Sequence, residues 1–279
     1  MKFTNPRLEQ KIILGILWTF TTLTVFILLF IILYILKKGL PVINFNFLMT
    51  NPLDMGKSGG IFSTIIGTIT LTFGAILIAT PLGVGTAIYL TEYTRENKFT
   101  RVVKFGSECL AGIPSIIFGL FGFILFVIKL KLGWSILSGS LTLAFMILPT
   151  IIRTSEEAIK SVPYIHREVS YSLGCTKWQT VTRVVLPSAV PGIMTGIVLS
   201  IGRSIGETAA VIFTAGSALR FPTSLFSSSR TMAVHFYILA REGISMPNAY
   251  GTAAVLIIAI LIINIVAYLL MNRFIKKYS

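Results

Sequence analysis

Six stretches of this chain carry almost no charge and are long enough to cross a bilayer as helices, and this constrains the fold more than any other feature. They run over 12–36, 61–91, 109–128, 132–152, 184–202 (continuing past two charges to Leu219) and 243–272. A helix needs about 20 apolar residues to span a hydrocarbon core of about 30 Å, and backbone polar groups in lipid must be satisfied within the segment. The pattern therefore predicts an all-α integral membrane protein with six transmembrane helices. The 279 residues leave only short connections between them. The composition agrees: 54% of residues are hydrophobic, 12% are charged, and the mean hydropathy is +0.84. The first run exceeds the about 7–15 residues of a signal-peptide core and no small-residue cleavage site follows, so it reads as a retained helix.

The formal charge of +14 raises the question of nucleic acid. The 24 Lys and Arg, however, lie mostly between the apolar runs, where they act as topology signals and contacts to anionic lipid headgroups. No nucleic-acid partner is expected. With both termini cytoplasmic, inside segments hold 15 basic residues and outside segments 8, which favours that orientation in a bacterial plasma or inner membrane. Pro81, followed by Gly83 and Gly85, marks where the long second run should kink or end, because proline removes a backbone donor.

The longest inside connection, 153–183, alternates apolar and charged residues at near-helical spacing and reads as short amphipathic helices, with Gly174 at a turn between them. Arg203 and Glu207 lie inside the fifth run. Four residues apart, they share one helix face and can pair. A charge at mid-membrane costs about 2.5–3.5 kcal/mol on insertion scales, so the pair needs a reason: a buried ion pair that fixes register, or the lining of an ion or substrate pathway. Arg203 suits an anion, since guanidinium stays charged when desolvated and binds oxyanions bidentately. Glu207 would neutralise Arg203 or accept a hydrogen bond from a protonated oxyanion. Gly192, Gly196, Ser200, Gly202, Ser204 and Gly206 crowd this region, either for close helix packing or for a narrow path with exposed backbone donors. His166 and His235 read as lone, exposed polar side chains, and Cys109 and Cys175 carry no metal-ligand spacing. No phosphate-cradling Gly-x-x-x-x-Gly-Lys-Ser/Thr motif occurs, so no ATP site is expected here. Ser204 lacks a neighbouring base, which argues against a membrane-embedded hydrolase.

The segment from Glu168, Val169 and Ser170 through Gly174, then nine residues to Val184, Leu186 and Pro187, resembles the "EAA" signature of ABC importer permeases. All spacings match, while Val169 and Ser170 replace the usual alanines. Further segments (Gly60 to Thr68, Pro81 to Tyr93, Gly112 to Gly122, Leu148 to Pro163, Arg203 to Gly216) are together similar to the PstA-type permeases of phosphate-specific importers. This resemblance implies a MetI-like permease fold: residues 1–60 as a first helix and external loop, 61–272 as a five-helix core holding the cytoplasmic coupling loop 153–188, and 273–279 as a tail. It implies partners as well: a second, PstC-type permease, two PstB-type ATPase subunits that hold ATP and Mg, and an extracytoplasmic PstS-type phosphate-binding protein. Arg203 and Glu207 would then belong to the phosphate path, and the loop from Glu168 to Pro187 would dock on the ATPase. A sulfate or molybdate permease is the nearest alternative; a secondary transporter or channel would show internal pseudo-symmetry and more intramembrane charges, and neither is evident.

Overall fold

The computed structural model describes residues 6–94 and 97–278. The first five residues, Arg95, Glu96 and Ser279, which the topology reading counted among inside segments, lie outside the described residues. The described chain is helical apart from one short hairpin and its loops. Helix α1 covers Pro6–Gly39 and is followed by α2, Phe45–Met49. The hairpin pairs β1, Pro52–Leu53, with β2, Ser58–Gly59, antiparallel. Then come α3, Phe62–Ile88; α4, Lys98–Ala111; α5, Ser115–Gly122; and α6, Ile136–Lys160. Helices α7, Tyr164–Ser172, and α8, Lys177–Thr180, are short, as the loop pattern predicts. The remaining helices are α9, Leu186–Ile205; α10, Ala209–Thr214; α11, Met232–Arg241; and α12, Met246–Tyr278.

Among the described residues five helices are long and apolar enough to cross a membrane, and the count is six if the bent pair of α4 and α5 is taken as one span. Three wider π-turns extend helices: 89–93 prolongs α3, 123–129 prolongs α5, and 181–185 joins α8 to α9. Helix α3 continues past Pro81, so of the expected kink or end the end is not found. The chain instead bends between α4 and α5, by 105°. Gly112, Ile113 and Pro114 occupy the bend, and Pro114 cannot continue α4 because it has no N–H. The expected span over 109–128 is thus the shorter α5 with its π-turn, and α4 is a separate amphipathic helix with Val102 and Phe105 exposed.

Helices α3 and α6 form the centre. Leu71, Ala75, Leu143, Ile147 and Ile151 are buried with Val211 of α10 and Val234 of α11. Close approach depends on small residues: a Cβ on Gly192 would lie 2.6 Å from that of Ala158, and one on Gly196 would overlap Thr154, so α9 lies directly on α6. Several hydroxyls in the spans bond to carbonyls one turn back, as Thr154 does to Thr150 at 2.8 Å and Ser200 to Gly196 at 2.8 Å, which satisfies them without water. A second apolar layer, with Ala87, Ile159, Val162, Val185, Ala189 and Ile193, closes the end of the bundle beneath α7.

Candidate functional site

The sequence places Arg203 and Glu207 on one helix face, and the structure corrects this. Helix α9 ends at Ile205, Gly206 caps it, and Glu207 lies in the break before α10. The expected continuation to Leu219 is therefore a six-residue helix and an extended segment. No ion pair joins the two residues. Glu207 Oε1 instead accepts from the amides of Thr208 and Ala210, each at 3.2 Å, so the carboxylate satisfies donors that the helix break would otherwise orphan. Arg203 stands in the last turn of α9, exposed and without a hydrogen bond to any described residue.

The break opens onto packed helices. Helix α10 runs beside α5: a Cβ on Gly119 would lie 2.8 Å from Ala210 Cα, and one on Gly122 would lie 2.9 Å from Thr214. Its far end reaches the start of α6, where the Ser135 amide donates to Thr214 O at 3.1 Å. Six helical residues rise about 9 Å, which separates the break from that contact with α6. The small residues divide by role: Gly192 and Gly196 serve packing, whereas Gly202 has no neighbour and Gly206 meets only the carbonyl of Gly202.

The other candidate region is the loop after α6. Helix α7 presents Tyr164, Ile165, Glu168, Val169 and Leu173 outward, Leu173 at 79% exposure. Ser170 faces the opposite way, its hydroxyl 2.9 Å from that of Thr180, so it holds α7 to α8 and does not share the outward face with Val169. Gly174 has φ +79°, the left-handed conformation expected of it. Thr176 and Gln179 form a capping box that starts α8. Val184 lies half-buried in the π-turn, and Leu186 and Pro187 open α9, so the second half of the signature runs without a break into the span.

Two constellations escaped the sequence reading. Arg167 is buried and pairs with Glu92, which lies 75 residues earlier, at 2.7 Å. At the opposite end of the bundle His235, expected to be exposed, is 1% exposed. It belongs to α11, and the hairpin covers it: a Cβ on Gly56 would come within 2.6 Å of its ring. Asn248 of α12 straps that hairpin down through the carbonyls of Gly56 at 3.0 Å and Lys57 at 3.1 Å. Arg230 is also buried, with Nε donating to Ser217 O at 2.9 Å and Nη1 standing 3.4 Å from His235 Nδ1. Because arginine only donates, Nδ1 accepts and the ring proton is on Nε2. Burial, and secondarily the Arg230 charge, pushes the His235 imidazole down from 6.5 to about 4. Its place in an apparently polar segment gave no sign of burial. His166, by contrast, is exposed as expected.

A family model described as "Binding-protein-dependent transport system inner membrane component" matches residues 79–279. The chain belongs to this family. Among curated relatives of this binding-protein-dependent transport component, "Probable ABC transporter permease protein YqgI" of Bacillus subtilis (strain 168) is 34% identical, with 99% of each chain aligned. "Phosphate transport system permease protein PstA" of Pasteurella multocida (strain Pm70) is 31% identical over 95% of each chain. Of the solved structures, a bacterial ABC transporter involved in the import of the acidic polysaccharide alginate superposes with a TM-score of 0.64 at 19% identity, covering 96% of this chain and 99% of that one. The inward-facing MetNI methionine ABC transporter gives 0.63 at 18% identity, covering 76% and 94%. The inner-membrane component is therefore a helical permease of the MetI-like fold, similar in sequence to PstA permeases along most of its length.

Proposed function

We propose that this chain is one half of the membrane pathway of an ATP-driven importer of inorganic phosphate, oriented with both termini in the cytoplasm. The observation that carries the reading is the unpaired Arg203 guanidinium, exposed at a helix break inside the bundle. Facing lipid it would cost about 2.5–3.5 kcal/mol, so its exposed side belongs against a second subunit and a wet path between the two. There its planar donors match the oxygens of a phosphate. Glu207, held by two backbone amides, keeps the break in shape and partly offsets the nearby cation. A second permease of PstC type would complete the path, and a PstS-type binding protein would deliver phosphate from outside.

The outward apolar residues of α7, with Glu168 among them, suit insertion into a cleft of a PstB-type ATPase subunit, which would hold ATP and Mg. In this reading the chain is no enzyme in itself. The 31% relative named for phosphate transport supports the choice of oxyanion. The test is ATP-driven phosphate and sulfate uptake into proteoliposomes holding the complex, with Arg203→Gln and Glu168→Ala as variants. Phosphate uptake should fall about tenfold or more in Arg203→Gln with assembly intact, the scale for losing one charged hydrogen bond. Glu168→Ala should weaken retention of the ATPase. Native uptake in Arg203→Gln would refute the pathway role, and sulfate uptake without phosphate would refute the substrate.

A further inference from the structure

The docking helix α7 is joined by the chain to α6 before it and to α8 and α9 after it, but α3 ends far earlier in the sequence. Arg167 bridges that gap. Its Nη2 and Nε donate to Glu92 Oε1 at 2.7 and 3.1 Å, its Nη1 donates to Val162 O at 2.8 Å, and its Nη2 also donates to Ile159 O at 3.0 Å. One planar cation thereby ties together α7, the carbonyl end of α6 and the π-turn that terminates α3. Both side chains are nearly sealed, at 9% and 7% exposure. The carbonyls at the end of α6 carry the negative pole of that helix, which favours a cation there. A π-turn, such as the one holding Glu92, is an uncommon local widening that recurs at functional sites.

We propose that Arg167 and Glu92 form the strut through which movement of the docking helix reaches α3. They are positioning residues: they touch neither nucleotide nor transported ion, and their inference rests on the reading of α7 as the ATPase-docking element. Apolar side chains slide over one another, whereas buried charge-assisted bonds with two donors on one oxygen hold a set geometry. A shift of α7 would therefore carry the end of α3 with it. Arg167→Lys keeps the charge but cannot serve Glu92 and two carbonyls from one plane. Glu92→Gln keeps an oxygen that accepts from the guanidinium.

The experiment is hydrogen–deuterium exchange on the whole complex with and without a non-hydrolysable ATP analogue, together with phosphate moved per ATP hydrolysed. In the native complex the nucleotide should change exchange in both 164–174 and 86–94. In Arg167→Lys the response at 164–174 should remain and that at 86–94 should vanish. Transport per ATP should drop about tenfold, the scale for losing one hydrogen bond to a charged group, while hydrolysis continues. Glu92→Gln should retain most of the native behaviour. The proposal is overturned if 86–94 fails to respond in the native complex while 164–174 does, or if Arg167→Lys keeps both responses and native stoichiometry. It is equally overturned if neither variant assembles, since the pair is then a folding element. Silence at 164–174 in the native complex would instead refute the docking reading itself.

Discussion

Acidification should loosen the hairpin end of this protein through a single side chain, His235. Its imidazole is buried under the hairpin, faces Arg230, and is held neutral with its pKa displaced from 6.5 to about 4. Between those values the unfolded chain binds a proton that the folded chain does not, so stability falls as pH falls through that window and levels off below about 4. At 1.36 kcal/mol per pH unit the full displacement corresponds to about 3 kcal/mol. The chain holds only two histidines, so a nitrogen-15 histidine spectrum of the protein in lipid resolves this imidazole once His166→Gln assigns the other signal. Thermal denaturation from pH 7 to pH 4 then compares native protein with His235→Gln. The native protein should lose more stability on acidification, by up to about 3 kcal/mol, the linkage set by that displacement. An imidazole titrating near 6.5, or parallel pH profiles for the two proteins, would refute the argument.

Two further substitutions test the packing and the loop. Gly196→Leu should destabilise the contact of α9 with α6 by about 1–3 kcal/mol or more, as overpacking does, and lower the melting temperature, whereas Gly202→Ala, at an open helical site, should be neutral or slightly stabilising. Gly174→Ala meets no atom within 4 Å, so its cost is the left-handed backbone alone, about 1–2 kcal/mol. It should appear as faster hydrogen exchange confined to the loop around α7 and α8.

Much of this architecture is legible in the residues because lipid tolerates few solutions: long uncharged runs must be helices, and five of them are. The third run shows where local reasoning stops. Pro114 lies inside a run read as one span, and whether α4 continues that span or turns away by 105° depends on what packs beside it. The helical spacing of Arg203 and Glu207 was misleading because two glycines near the end of α9 let the backbone stop, and a carboxylate with backbone amides available caps them in preference to pairing. The signature loop was visible as a spacing, and Gly174 as a turn, yet the inward direction of Ser170 followed only from its contact with Thr180. Arg167 and Glu92 were each ordinary flanking charges until the fold brought them together.

The position of α1 bears on how the protein is made. This helix lies along α12, with a Cβ on Gly39 falling within 2.6 Å of Ala254 and Tyr34 edge-on to Tyr250 at 6.0 Å, and nearly all its other surface is exposed. Translation delivers α1 first and α12 last among the described helices. Until α12 has been made, α1 must therefore persist in the bilayer on its own hydrophobicity, and the contact between the two helices forms only after the chain between them is in place.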